Sequence, residues 1–436
     1  MSQKIKIAYD WVGPAGPIAN TLSPNLYNFC SVVGSDIAVH NNKKHLGPST
    51  YYNIYKNFPE VFQVVPSFSL TYDDVFIYEF QMYHWVDHER LFSYDDMPGF
   101  IETSNITNQL LDKIRVGKGY FLIQNMFEAT VYDQFFELMH SYFDKHHIPT
   151  NKIIYQVGCA NAEELYEKYC NIYNIPEHKR MKVVFWDQIE WNLSLTIKNT
   201  QPRPITKTLD SVKKTFLVFN RRYRTHRTKL TLLFKKFDLL KDSWYSMPAT
   251  NVDGRINNTF MHQVDWSFAN KIGISRQEVE ELYSILPLRN DNINTLNEMI
   301  NVTSRNVQNL YDSSLITIVT ETFFETPVIS VTEKSFKPLF YKQPFIIAGA
   351  PYSLEYLKKK GYKTFSNWFD ESYDSETDHD SRLIKIVELC KTINEWSPEQ
   401  KQKFIEETKE VLEHNYNTFR SKSDSLENSF WLNLEK

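Results

Sequence analysis

Two short stretches of the chain carry the residue types that bind and neutralise phosphate. In "VISVTEKSFKPLFYKQPFIIAG", Val328 to Gly349, the polar residues Thr332, Glu333 and Lys334 separate two apolar runs. In "TFLVFNRRYRTHRTKLTLLF", Thr215 to Phe234, an apolar run is followed by Arg221, Arg222, Arg224, His226 and Arg227. Each reads as a strand turning into a helix, a corner at which backbone N–H groups and the helix dipole favour an anion.

At the first corner, Ser335 is the expected N-cap, with Phe336, Lys337 and Pro338 in the first turn, where a proline is tolerated. Phe336, Leu339 and Phe340 then share one buried face. Thr332, Glu333 and Lys334 fall on the loop just before the helix, where Lys334 reaches a phosphate and Glu333 accepts from a ribose hydroxyl. The competing reading is a solvated ion pair beside an ordinary helix start. At the second corner, Arg227 lies three residues before Leu230 on the same helical face, so it is held inward. Each exposed cation at a helix N-terminus costs roughly 0.3–1 kcal/mol. Several together make most sense with an anion between them, the alternative being a basic surface patch or salt bridges to the acidic loops. Two cationic corners in one domain fit a nucleotide diphosphate better than a single phosphate. Neither GxxxxGK[ST] nor GxGxxG occurs, which sets aside P-loop and dinucleotide sites.

The elements that must position these corners alternate in type. Strand-like runs at "KIKIAYDW", "DVFIYEFQMY", "GYFLIQN", "NKIIYQVG" and "KVVFWD" are interleaved with helical patterns such as "EATVYDQFFELMHSYFDKH" and "NAEELYEKYCNIY". After a polar, proline-containing connection from Trp191 to Lys214, a second series runs through "TFLVFN", "SLITIVTE" and "PFIIAG". Alternation of this kind predicts parallel βαβ units. Ligands of open parallel sheets bind beyond the carboxyl ends of the strands. The expected organisation is an α/β chain of two Rossmann-like domains facing a central cleft, residues 1–200 and 201–408, with a helical tail over 409–436.

The Thr-Glu-Lys stretch resembles the donor-binding motif of the α1,3-fucosyltransferases, in which Thr-Glu-Lys opens a helix leading into an apolar strand. "FNRRYRTHRTKL" looks like the upstream arginine corner of that family, through Arg224 or Arg227. More broadly, "TEKSFKPLFYKQPFIIAG…YKTFSNWFDESYD" is similar to phage and viral glycosyltransferases of the GT-B fold. The resemblance spans about Thr215 to Asp374, and this chain has Ser330 where the fucosyltransferases carry a tyrosine. It implies a GT-B-like glycosyltransferase using a nucleotide-sugar donor without a further cofactor or metal. Thr332, Glu333, Lys334, Ser335, Lys337, Arg224 and Arg227 are then the donor residues, and the tail packs back on the first domain. Lys334→Ala and Arg227→Ala are each expected to lose donor binding in a folded protein.

An inverting transfer needs a carboxylate to take the acceptor's proton. Asp10, Glu79 and Glu128 follow or close strand-like runs, and Asp10 is preferred with Glu128 next; a retaining mechanism stays open. The acceptor is a saccharide, a small molecule or a modified DNA base. A net charge of −4 gives no chain-wide grip on nucleic acid. A catalytically silent nucleotide-binding or structural module is the rival from another class. Asp378-His379-Asp380 lies in a polar run rather than closing a strand, which argues against a metal site there. Cys30, Cys159, Cys170 and Cys390 form no CxxC pair and are expected as reduced thiols. The N-terminus enters a strand-like run directly, and no stretch approaches the roughly 18 apolar residues of a membrane span. A cytoplasmic protein is expected, in the host cytoplasm if the source is viral.

Overall fold

The structure is a computed structural model describing residues 4–9, 59–66, 69–81, 107–125, 131–198, 200–248, 260–288 and 305–424. The chain folds as two compact units that divide between Ile189 and Glu190. In the first, β1 (Ile5–Tyr9), β2 (Phe62–Pro66), β3 (Phe76–Gln81), β4 (Gly119–Asn125), β5 (Ile153–Val157) and β6 (Lys182–Phe185) form one sheet in the order β2-β1-β3-β4-β5-β6. All its pairings are parallel. Helices α1 (Asn108–Arg115), α2 (Asp133–Lys145) and α3 (Ala162–Ile172) connect the later strands. α2 turns Phe135, Phe136, Met139, Tyr142 and Phe143 inward, spacings of three and four that place them on one face.

The dividing point falls about ten residues before the sequence boundary because α4 (Gln188–Lys198) occupies the start of the expected connection. Trp191, Ser194 and Ile197 are buried at intervals of three. Asn192, Ser194 and Thr196 make this stretch read as a linker, and tertiary burial overrides that propensity.

The second unit holds β7 (Lys214–Phe219), α5 (Thr225–Lys236), β8 (Ser243–Ser246), α6 (Trp266–Lys271), α7 (Arg276–Ser284) and α8 (Arg305–Asp312). It continues with β9 (Ser314–Thr320), α9 (Glu333–Phe340), β10 (Phe345–Ala348), α10 (Ser353–Lys359), α11 (His379–Asn394), α12 (Pro398–Glu407) and α13 (Lys409–Ser421). Its four strands run parallel in the order β10-β9-β7-β8. Every residue of β9 and β10 is buried, as expected of parallel strands covered on both faces.

That strand order fixes where a ligand fits. The chain leaves β7 for β8 on one side, then returns to place β9 and β10 on the other. Right-handed crossovers running in opposite directions put α5 and α9 on opposite faces of the sheet. The carboxyl ends of β7 and β9 therefore flank a topological switch point, the usual ligand crevice of an open α/β sheet. Both cationic stretches lie there. α13 packs against α9 within this unit, with Phe336 stacked on Phe419 at 5.4 Å. Of the tail, residues 425–436 lie outside the described residues.

Candidate functional site

The corner after β9 is built around a residue that the sequence did not single out. Glu321 follows the last residue of β9 and is 1% exposed. Its Oε1 accepts from the Thr332 amide at 2.9 Å and from Ser335 Oγ at 2.7 Å. Its Oε2 accepts from Thr332 Oγ1 at 2.6 Å. Thr332, not Ser335, is the N-cap of α9, so Glu333 and Lys334 are its first two helical residues and Ser335 lies in the first turn. This corrects the expected helix start by three residues. Ser335 is free to enter the helix because its hydroxyl is bound to a carboxylate instead of capping the backbone. Pro338 consequently lies inside α9, and the helix ends two residues later.

The same geometry changes how an anion would be held. Besides the Thr332 amide on Glu321, the Ser335 amide donates to the Thr332 carbonyl at 3.0 Å. The Lys334 amide faces Thr332 Oγ1 at 3.5 Å. The backbone donors at this helix start are thus largely engaged within the protein. Positive charge is supplied by side chains: Lys334 Nζ lies 2.9 Å from Thr332 Oγ1, 3.0 Å from Glu333 Oε1 and 3.8 Å from Glu321 Oε2.

The corner after β7 is organised differently. Arg227 is 4% exposed, and its guanidinium donates to main-chain carbonyls: Thr320 at 2.8 Å, Glu321 at 3.3 Å and Arg222 at 3.2 Å. His226, equally buried, bonds the Glu321 carbonyl at 3.0 Å through Nε2 and stacks on Phe324. The inward direction expected for Arg227 is present, and its work is to tie α5 to the end of β9. Only its Nε, like that of Arg221, is buried without a hydrogen-bond partner. Arg224 is the N-cap residue of α5, is exposed, and makes no side-chain capping bond. Asn220 closes the floor between the strands by accepting from Thr320 Oγ1 at 2.8 Å.

The two corners meet electrically. Burial pulls the Lys337 ammonium down to about 8; Glu333 opposes the fall, while Lys334 and Arg221 add to it. Burial alone would raise the Glu333 carboxyl, but Lys334 in contact and Lys337 nearby outweigh it and hold it at about 2. Burial, together with Arg224, lowers Arg227 to about 10 against the pull of Glu321 and Glu333. Arg221 is lowered by burial and by Arg222, with Glu333 opposing. Among the described residues, Arg221, Arg222, Arg224, Arg227, Lys334 and Lys337 thus gather around Glu321 and Glu333, with Glu325 paired to His226, so cations outnumber carboxylates here. The surplus lies at the switch point of the sheet.

Asp10 and Glu128 lie outside the described residues, as does Cys30; the backbone of Glu79 falls inside β3 rather than at its end. Cys159, Cys170 and Cys390 are buried free thiols. Asp378 caps α11 by accepting from the Ser381 amide at 2.8 Å, and Asp380 pairs with the buried Lys229 at 2.7 Å. Lys229 also binds Asp265 at 2.9 Å, so the Asp-x-Asp pattern serves packing between helices. Among the described residues no group of three or more histidines, cysteines and carboxylates is placed to hold a metal. No described helix is long and apolar enough to cross a membrane.

No protein-family model matches the chain, and no curated protein matches it in sequence. Among solved structures it is similar to the α,α-trehalose-6-phosphate synthase of Burkholderia multivorans, at 12% identity over 85% of this chain and 71% of that one, with a TM-score of 0.43. It is also similar to the UDP-forming α,α-trehalose-phosphate synthase of Burkholderia xenovorans, at 10% identity over 100% of both chains and a TM-score of 0.43. A third is the UDP-forming synthase of Burkholderia vietnamiensis, at 11% identity over 96% and 82%, with a TM-score of 0.40. The site therefore stands on its own geometry.

Proposed function

We propose that this chain is a glycosyltransferase that takes a sugar from a nucleotide-diphosphate donor and passes it to an acceptor hydroxyl. One observation carries the reading: the surplus of cations over carboxylates at the carboxyl ends of β7 and β9. A diphosphate leaving group is the ligand whose charge such a crevice matches. In the transfer, the acceptor oxygen attacks the anomeric carbon and the bond from that carbon to the diphosphate breaks. The acceptor proton goes to a carboxylate, for which Asp10 and then Glu128 are the candidates. Lys334, Lys337 and Arg221 stabilise the charge that develops on the departing diphosphate, and Arg224 flanks the mouth. The half-buried Glu333, ionised down to about pH 2, can only accept hydrogen bonds and suits a ribose hydroxyl. These fixed cations perform the neutralisation that a metal performs elsewhere, so the transfer is proposed to be metal-independent. The acceptor is taken to be a saccharide or small molecule, since the net charge of −4 does not favour duplex DNA.

The test is a thermal-shift screen against UDP, GDP, CDP, ADP and their sugars, repeated with Lys334→Ala. One nucleotide should raise the melting temperature of the wild type, and the shift should shrink in the variant. No shift with any nucleotide would sink the reading. Binding without turnover across an acceptor panel would reduce the chain to a nucleotide-binding module.

A further inference from the structure

Glu321 takes part in both corners at once. Its carbonyl receives His226 and Arg227, and its carboxylate receives Thr332 and Ser335. The direction of one hydrogen bond gives this a consequence. Thr332 Oγ1 donates its only proton to Glu321 Oε2 at 2.6 Å. Both lone pairs of that hydroxyl then remain for Lys334, whose Nζ sits at 2.9 Å and whose amide sits at 3.5 Å. A carboxylate behind the threonine makes the hydroxyl an acceptor toward the lysine.

We infer that Glu321 is a positioning residue of the anion site: by orienting the Thr332 hydroxyl it holds Lys334 at the mouth of the crevice. The part of this inference that concerns ligand affinity rests on the diphosphate reading above; the part that concerns Lys334 does not. An isosteric amide separates charge and orientation from shape. In Glu321→Gln the amide oxygen can still accept from the Thr332 amide and Ser335 Oγ, which both meet Oε1 today. The amide nitrogen, however, must donate to Thr332 Oγ1. That hydroxyl then receives three donors on two lone pairs, and its own proton loses its acceptor. Lys334 Nζ, the most mobile of the three, is displaced.

The experiment measures the acylation rate of individual lysines by mass spectrometry in the full chain, for wild type and Glu321→Gln, beside calorimetric titration with UDP, GDP, CDP and ADP. Lys334 should react about tenfold faster in the variant, the scale of one lost charge-assisted hydrogen bond. Lys337, one turn further along α9, should keep its wild-type rate. The affinity for whichever diphosphate the wild type binds should fall by a similar factor. Equal Lys334 rates in the two proteins would overturn the inference. So would a joint rise of Lys334 and Lys337 with a lower melting temperature, because that pattern is an unravelled helix rather than a misplaced side chain. If the wild type binds no diphosphate while Lys334 alone becomes reactive, the donor reading falls and the positioning role stands.

Discussion

The corners after β7 and after β9 look alike in sequence, since each sets basic residues beside a helix start, yet they use those residues differently. After β7 the principal cation, Arg227, is spent on the backbone, bonding three main-chain carbonyls in a buried setting. After β9 Lys334 is part-exposed and is held by side chains, Thr332 and Glu333. A guanidinium with five donors in a fixed plane suits a junction of several carbonyls. A lysine on a flexible stem suits a charge that must reach. The difference teaches that a basic residue near a helix start is no ligand contact until its other obligations are known.

The largest expected effect breaks the comparison if it fails. Arg227→Ala removes the guanidinium from the carbonyls of Thr320 and Arg222 and leaves that of Glu321 to His226, and should cost about 3 kcal/mol of stability by chemical denaturation. A variant as stable as wild type that had lost only diphosphate affinity would show the two corners to be equivalent. Next comes Lys337→Ala, which should weaken diphosphate binding about tenfold, about 1.4 kcal/mol, with little change in melting temperature.

The same lysine gives a pH signature. With its folded value near 8, Lys337 is charged below that pH and neutral above it. A bound anion favours the charged form, so binding takes up a proton once the pH exceeds about 8. Affinity should be level from pH 7 to 8 and fall above, and Lys337→Ala should abolish the bend. Titration above pH 7 avoids the second ionisation of the terminal phosphate near 6. The smallest effect provides the control: Asp378→Ala removes a cap from α11, outside both corners, and should lower the melting temperature slightly without altering diphosphate affinity.

Much of the scaffold was legible because buried parallel strands leave continuous apolar runs. "TFLVF", "SLITIVT" and "FIIA" became β7, β9 and β10. Their spatial order was not legible, since it depends on where each crossover returns, and only that order shows that the two corners share a crevice. The start of α9 was misplaced because Ser335 has the chemistry of an N-cap and the sequence does not reveal that Glu321 competes for its hydroxyl. Glu321 itself was hidden. A single acid ending an apolar run looks like a surface residue, and burial gives it meaning only beside Thr332 and Ser335. The one available signal is its place immediately after the strand, the position that makes Asp10 and Glu128 candidates in the first half of the chain.

The engaged backbone at the start of α9 has a consequence for how this protein can change over generations. A phosphate cradle made of main-chain amides is tied to the fold, and altering it means altering the path of the chain. Here the amides serve the protein internally, while the positive charge is carried by the side-chain tips of the part-exposed Lys334 and the buried Lys337. Point substitutions at such tips can retune or silence ligand preference while Glu321, Arg227 and the strand edge stay as they are. Related chains should therefore share the buried frame and diverge at the lysines, so that ligand preference drifts faster than architecture.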